Sequence, residues 1–179
     1  QDAAAMVRAV RAVHETVAGA TPDGRPYAAN DPHLLGWVHA AEIDSFLRAH
    51  QRFGHRPLDA AGQDGYVADT ARVAEALGVL DPPRSRAELA ATLARYRPEL
   101  AGTPAARQTA RFLVLNPPLP LPSRGPYAVL TGAAVGLLPW WARLTLRLPY
   151  LPGESVLVRP AAQVVTRTIR WALSEPGQG

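Results

Sequence analysis

Apolar residues recur at helical spacing through most of this chain. Over residues 3–18 they are separated by three or four positions and mark one helical face, made of Met6, Val10, Val13 and Val17. Over 32–53 they spread beyond a narrow stripe, which is typical of a helix buried on two sides. Asp31 is the predicted N-cap of that helix, and Pro32 takes its first position. We expect it to form the centre of the fold.

Capping and chain-breaking residues divide the rest of the chain. They predict helices over 58–79, 85–96, 103–115, 126–146 and 156–173. Gly78 ends the first of these, and Ser85 with Glu88 forms a capping box at the second. Residues 21–32 and the stretch 116–126, which holds five Pro residues, are predicted connectors, and no pattern favours a strand. The pattern therefore predicts an all-α fold of about six to seven helices with Pro-rich connectors. We expect a single globular domain over 1–174 and a flexible tail over 175–179.

The composition is that of a packed protein. The chain has 179 residues, of which 47% are hydrophobic and 19% charged, and this balance supports a sizeable core. All 19 basic residues are Arg, spread singly from Arg8 to Arg170. The absence of a basic run argues against a nucleic-acid partner. The absence of Cys excludes disulfides, a Cys nucleophile and any thiolate-ligated metal.

One apolar stretch bears on membrane contact. Residues 125–142 contain no charge over 18 positions, which is near the lower length of a spanning helix. Gly132, Gly136 and Pro139 interrupt the stretch, so we predict a buried core helix and no transmembrane span, and leave contact with a membrane surface open. The chain begins at Gln1 inside a helical pattern, so we expect an upstream part to be missing; the oligomeric state stays open.

Histidines are the candidate metal ligands and general bases near neutral pH. Of the five in the chain, three lie where helices are predicted to pack: His14, His39 and His50. The other two, His33 and His55, are expected to be structural or solvated. Glu42 lies one helical turn after His39, and His50 continues the same face, so the three together would suit a metal. A buried His hydrogen-bonded to an acid is the favoured explanation of this pattern, because no second Glu-x-x-His repeat occurs to complete a metal site.

Several short strings resemble a known family. The more specific strings are VRAVHE (10–15), YAANDP (27–32), LLGWVHA (34–40), DSFL (44–47) and RFG (52–54). Weaker likenesses are DPP (81–83), PEL (98–100), GLLP (136–139) and WAR (141–143). Together they resemble the catalytic domain of the haem-dependent oxygenases that include the bacterial rubber oxygenases, or latex-clearing proteins, and the fungal MpaB oxygenase.

The resemblance implies an all-helical fold that binds haem b. It matches His14 to the proximal iron ligand and assigns His39 to the cofactor pocket or to its support. Further candidates for the pocket are Trp37, Glu42, Asp44 and Phe46. The distal Arg and Thr of the family lie upstream of the ligand helix, so no residue of this chain is assigned to them.

The resemblance also implies an oxidoreductase. Its expected substrate is a lipophilic, isoprenoid-like olefin, which dioxygen would cleave at a carbon–carbon double bond. The alternative is a non-catalytic helical protein of the same fold that binds a lipophilic ligand. A third hypothesis is a non-haem metal enzyme that uses His39, Glu42 and His50. The expected location is the bacterial cytoplasm, with secretion left open.

Overall fold

A computed structural model describes residues 2–21 and 24–148, and this part of the chain is mostly helical. Its helices are α1 (Ala3–Thr16), α2 (Pro32–Phe53), α3 (Ala60–Leu77), α4 (Arg86–Tyr96), α5 (Pro104–Leu115), α6 (Leu121–Leu137) and α7 (Trp140–Leu146). A 3-10 turn, Arg97–Glu99, follows α4, and two short strands are β1 (Ala18–Ala20) and β2 (Pro26–Ala28). The predicted helical class is confirmed. The helix predicted over 156–173 and the tail over 175–179 lie outside the described residues.

The described residues fall into two compact units. The first unit lies within Gln1–Arg48 and Arg56–Glu99, and the second within Ala49–His55 and Leu100–Gly179. The domain boundaries predicted from the sequence stay a prediction.

The core of the first unit joins α2, α3 and α4. One cluster contains Ala40, Ile43, Leu47, Val67 and Leu89, and a second contains Leu35, Ala74 and Val79. Leu89 and Val67 are its largest fully buried side chains. Because these residues come from three helices, their apolar contacts fix how the helices lie against each other.

The prediction that α2 is buried on two sides is wrong for the described structure. Its buried residues form one stripe: Leu35, Gly36, Ala40, Ile43 and Leu47. Leu34, Val38 and Phe46 are exposed. Wide spacing of apolar residues around a helix does not distinguish a second packing face from an apolar face left open, and here the second face is open.

The sequence analysis missed a short antiparallel hairpin. Strands β1 and β2 pair with Gly19 opposite Tyr27. Strand β1 begins at the last residue of the first predicted helix, and β2 lies within the connector predicted over 21–32. Strands of three residues are too short to display alternation, so periodicity has nothing to detect. The hairpin follows α1 and brings the chain back towards the start of α2.

The region 116–146 also differs from the prediction. Helix α6 begins at Leu121, inside the expected extended connector, because Pro122 lies in its first turn, where no backbone N–H is required. The single helix predicted over 126–146 is broken after Leu137. Leu138 is extended, as is favoured before proline, and Pro139 caps α7.

No single helix in the described ranges is long and apolar enough to cross a membrane. The pair α6 and α7 passes the same length and composition test only when taken together, and the two helices are bent by 117°.

Most predicted helix starts are confirmed. Asp31 accepts a hydrogen bond from the backbone N–H of His33 at 2.8 Å, and Thr103 caps α5. At α4, the Ser85 hydroxyl accepts from the N–H of Glu88 at 3.2 Å, as a capping box requires. The Glu88 carboxylate, however, accepts from the N–H of Arg84 at 2.7 Å, one residue before the cap.

Candidate functional site

Helix α1 packs against α3, and His14 lies in the last turn of α1. One turn before it, the Arg11 guanidinium donates to the carbonyl of Ala76 at 3.4 Å. Ala76 lies in the last turn of α3, where backbone carbonyls lack partners inside the helix, so the bond joins α1 to the end of α3. The Nδ1 atom of His14 is buried and has no hydrogen-bond partner in the described structure.

His39 lies in the middle of α2, beside the fully buried Ala40. Its Nε2 atom is buried and, like Nδ1 of His14, has no hydrogen-bond partner among the residues described. Burial lowers the pKa of His39 below the ordinary value of 6.5, and the nearby Glu42 carboxylate partly offsets this by raising it. The imidazole is therefore neutral at pH 7 and has a lone pair to offer.

The Glu42 carboxylate acts on His39 and also on Tyr66 of α3, a residue that the sequence analysis missed. Burial raises the pKa of the Tyr66 phenol above 10.0, and the Glu42 carboxylate raises it further. Tyr66 also packs against the first core cluster. It therefore remains protonated and can donate a hydrogen bond. Only the packing of α3 on α2 brings Tyr66 near Glu42, so no spacing in the sequence reveals it.

Trp37 packs against α4. Its ring lies on Tyr96 with centroids 5.7 Å apart, and Tyr96 also contacts the ring of His33 at 4.8 Å. The Tyr96 hydroxyl donates to the carbonyl of His33 at 2.9 Å, and His33 Nε2 lies 2.6 Å from a carboxylate oxygen of Glu99. The prediction that His33 is structural fits this exposed pair.

The other predicted pocket residues lie differently. Asp44 forms an ion pair at 2.6 Å with Arg48 of its own helix, and Phe46 is 58% exposed. His55 is exposed, as expected, and His50 belongs to the second unit, whereas His39, Glu42 and Tyr66 belong to the first. Over residues 2–21 and 24–148, no group of three or more His, Cys, Asp or Glu side chains is placed to hold a metal ion.

The first unit therefore presents two histidines with unused ring nitrogens. A buried polar group without a partner costs roughly 1–3 kcal/mol, so such atoms are rare unless something outside the protein chain satisfies them. His14 Nδ1 and His39 Nε2 are the atoms that can meet a metal or cofactor.

Comparison with known proteins identifies the family of this chain. Residues 1–171 match the family model described as ER-bound oxygenase mpaB/B'/Rubber oxygenase, catalytic domain. Searches of curated proteins and of solved structures gave no match. The match covers nearly the whole chain and includes both histidines. This chain therefore belongs to the family of MpaB and rubber oxygenase catalytic domains.

Proposed function

We propose that this chain is the catalytic part of a haem b-dependent oxygenase that acts on a lipophilic, isoprenoid-like olefin. In this proposal His14 is the proximal iron ligand and His39 lies in the cofactor pocket. The observation that carries it is that two buried nitrogens, His14 Nδ1 and His39 Nε2, have no hydrogen-bond partner among the described residues of a chain from an oxygenase family.

The residues present fit a haem. Neutral imidazole is a usual axial ligand, and the chain has no Cys to compete for that position. An iron-ligating His donates through its second ring nitrogen, so His14 would need one nitrogen for iron and an acceptor for the other. His39 lies in the same unit as His14, and its lowered pKa keeps its imidazole neutral.

The protein's own residues would prepare the site for this chemistry. Bound haem supplies the activation of dioxygen and the redox chemistry. Neutral His39 offers a lone pair or an N–H without a net charge, and the Tyr66 hydroxyl stays available as a donor because its pKa is raised. Trp37, whose ring contacts that of Tyr96, adds an aromatic side chain to α2, the helix that carries His39.

The exposed face of α2 supports an apolar substrate. Leu34 and Val38 are neighbours one turn apart, and both are exposed, as is Phe46 two turns further along the helix that carries His39. An isoprenoid chain has no polar groups to recognise, so its affinity must come from contact with apolar side chains of this kind.

The first test is titration of the purified chain with hemin, followed by its visible spectrum. The parent is expected to develop a Soret band characteristic of an axial His, and His14→Ala is expected to lose or shift it. His55→Ala is the matched control, since His55 is exposed, and its spectrum should equal that of the parent. Circular dichroism of each variant verifies that the helices remain.

Several results would contradict the proposal. A folded parent that develops no Soret band would rule out haem binding by this chain and favour a helical protein that only binds a lipophilic ligand. A band lost in His39→Ala and retained in His14→Ala would exchange the two roles. A haem-loaded chain that consumes no dioxygen with a polyisoprenoid olefin would contradict the proposed substrate.

A further inference from the structure

The second unit has an unusual charge distribution. From residue 100 to residue 148 the sequence contains five Arg and no Asp or Glu. Two of these cations hold the unit together. Arg107 donates to the carbonyl of Thr145 at 3.1 Å, and Arg143 donates to the carbonyls of Leu138 and Gly136 at 3.1 Å and 2.6 Å.

Two further cations, Arg111 and Arg147, make no side-chain hydrogen bond of this kind within the described residues. Both are exposed, and neither has a hydrogen bond or ion pair in the described part of the chain beyond the helix backbone and its cap. The described residues of the second unit, 49–55 and 100–148, include no Asp or Glu, so the charge that they carry is positive only.

Large apolar side chains lie beside these cations. On α5, Phe112 follows Arg111 directly, and Leu115 lies one turn after it; both apolar residues are exposed. On α7, Trp140 is 72% exposed and Leu144, one turn on, is 68% exposed. Arg147 is the C-cap of α7, and its backbone N–H donates to the carbonyls of Arg143 and Leu144, so it lies directly beside this last turn.

We propose that the outward faces of α5 and α7 dock on a lipid bilayer that contains anionic phospholipids. Exposed Trp, Phe and Leu next to Arg is the composition of helices that lie at a membrane interface, with rings and aliphatic chains among the acyl boundary and cations at the headgroups. A nucleic acid would use the cations and leave the exposed apolar groups in water.

The test is sedimentation of the whole chain with vesicles of phosphatidylcholine, alone or with about one third phosphatidylglycerol. We expect binding to the anionic vesicles, weaker binding to the neutral ones, and weakening by salt. The double variant Arg111→Gln/Arg147→Gln should bind anionic vesicles about 30-fold more weakly, because each cation near such a surface contributes about five-fold. Trp140→Ser/Leu144→Ser should weaken binding to both kinds of vesicle.

Matched controls come from the first unit. Leu80 is 74% exposed, comparable to Leu144, and Arg86 is exposed and forms no ion pair with any described residue. Leu80→Ser and Arg86→Gln should therefore bind like the parent. Failure of the parent to bind anionic vesicles would overturn the proposal. Equal loss in the control variants would also overturn it, as would binding that depends on the cations but not on Trp140 and Leu144, which would indicate only a polycation. None of these outcomes depends on haem.

Discussion

Single polar side chains in the first unit are held where burial changes their chemistry. His39 is the clearest case, because burial lowers its pKa and the Glu42 carboxylate opposes this effect only in part. Protonating His39 in the folded chain places a positive charge in a poorly solvated position. The unfolded chain carries no such penalty, so the stability of the haem-free protein should depend on pH through this residue.

The sign follows from the direction of the shift. The folded pKa lies below 6.5, so the unfolded state binds more protons, and the free energy of unfolding falls as the pH decreases through 6.5. Urea denaturation between about pH 8 and about pH 5 should show a smaller decrease for His39→Gln than for the parent. Glu42→Gln should enlarge the decrease, since the carboxylate is the group that opposes the shift. Equal pH dependence in parent and His39→Gln would exclude this role.

Gly36 and Tyr96 form a second testable pair. A Cβ atom on Gly36 would lie 2.6 Å from the Tyr96 hydroxyl oxygen but 3.8 Å from its Cζ atom. Gly36→Ala should therefore destabilise the chain by roughly 1–3 kcal/mol, despite the better helix propensity of alanine. In the Tyr96→Phe background the clashing atom is absent, and the same change should cost much less. Thermal denaturation of the four proteins measures the coupling; additive effects would mean that the hydroxyl is not the obstacle.

Helix α4 depends on interactions at its first turn. Its N-cap Ser85 satisfies one backbone N–H, and Asp64 of α3 accepts the N–H of Arg86 at 2.8 Å. The bond from Asp64 joins two helices and also places a carboxylate at the positive end of α4.

Asp64→Ala is therefore expected to lower the free energy of unfolding by about 1–2 kcal/mol. Asp69→Ala is the control on the same helix. Its ion pair with Arg72 is exposed and 3.7 Å long, so its loss should have an effect close to zero. Chemical denaturation compares the two, and equal effects would mean that the bond from Asp64 contributes nothing specific.

Element ends were predicted well where one residue determines them. Asp31, Ser85 and Thr103 cap helices, and Gly78 adopts a positive φ of 106° that ends α3, as the sequence indicated. The region from Leu121 to Leu146 was predicted badly. Proline is compatible with the first turn of a helix and also with an extended connector, and only the chain around it decides between the two.

For the whole molecule, haem binding and stability should be linked. A ligand that binds only the folded state raises the unfolding free energy, by about 2.7 kcal/mol at a concentration 100 times its Kd. Saturating hemin should therefore raise the Tm of the parent and of His55→Ala, and raise that of His14→Ala much less. A Tm that hemin leaves unchanged in all three would contradict a specific site even if a Soret band appeared.

The sequence by itself determined the helical class, most helix starts, the family likeness and the choice of His14 and His39 as candidate cofactor-binding residues. These depend on local spacing, on caps and on short strings, which are properties of neighbouring residues. Tertiary structure decided the rest, as far as residues 2–21 and 24–148 show it: both histidines have a buried nitrogen without a hydrogen-bond partner, Tyr66 lies near Glu42, and apolar residues of α2 outside its buried stripe are exposed. Burial and proximity arise from residues far apart in the chain, and no periodicity within one helix contains them.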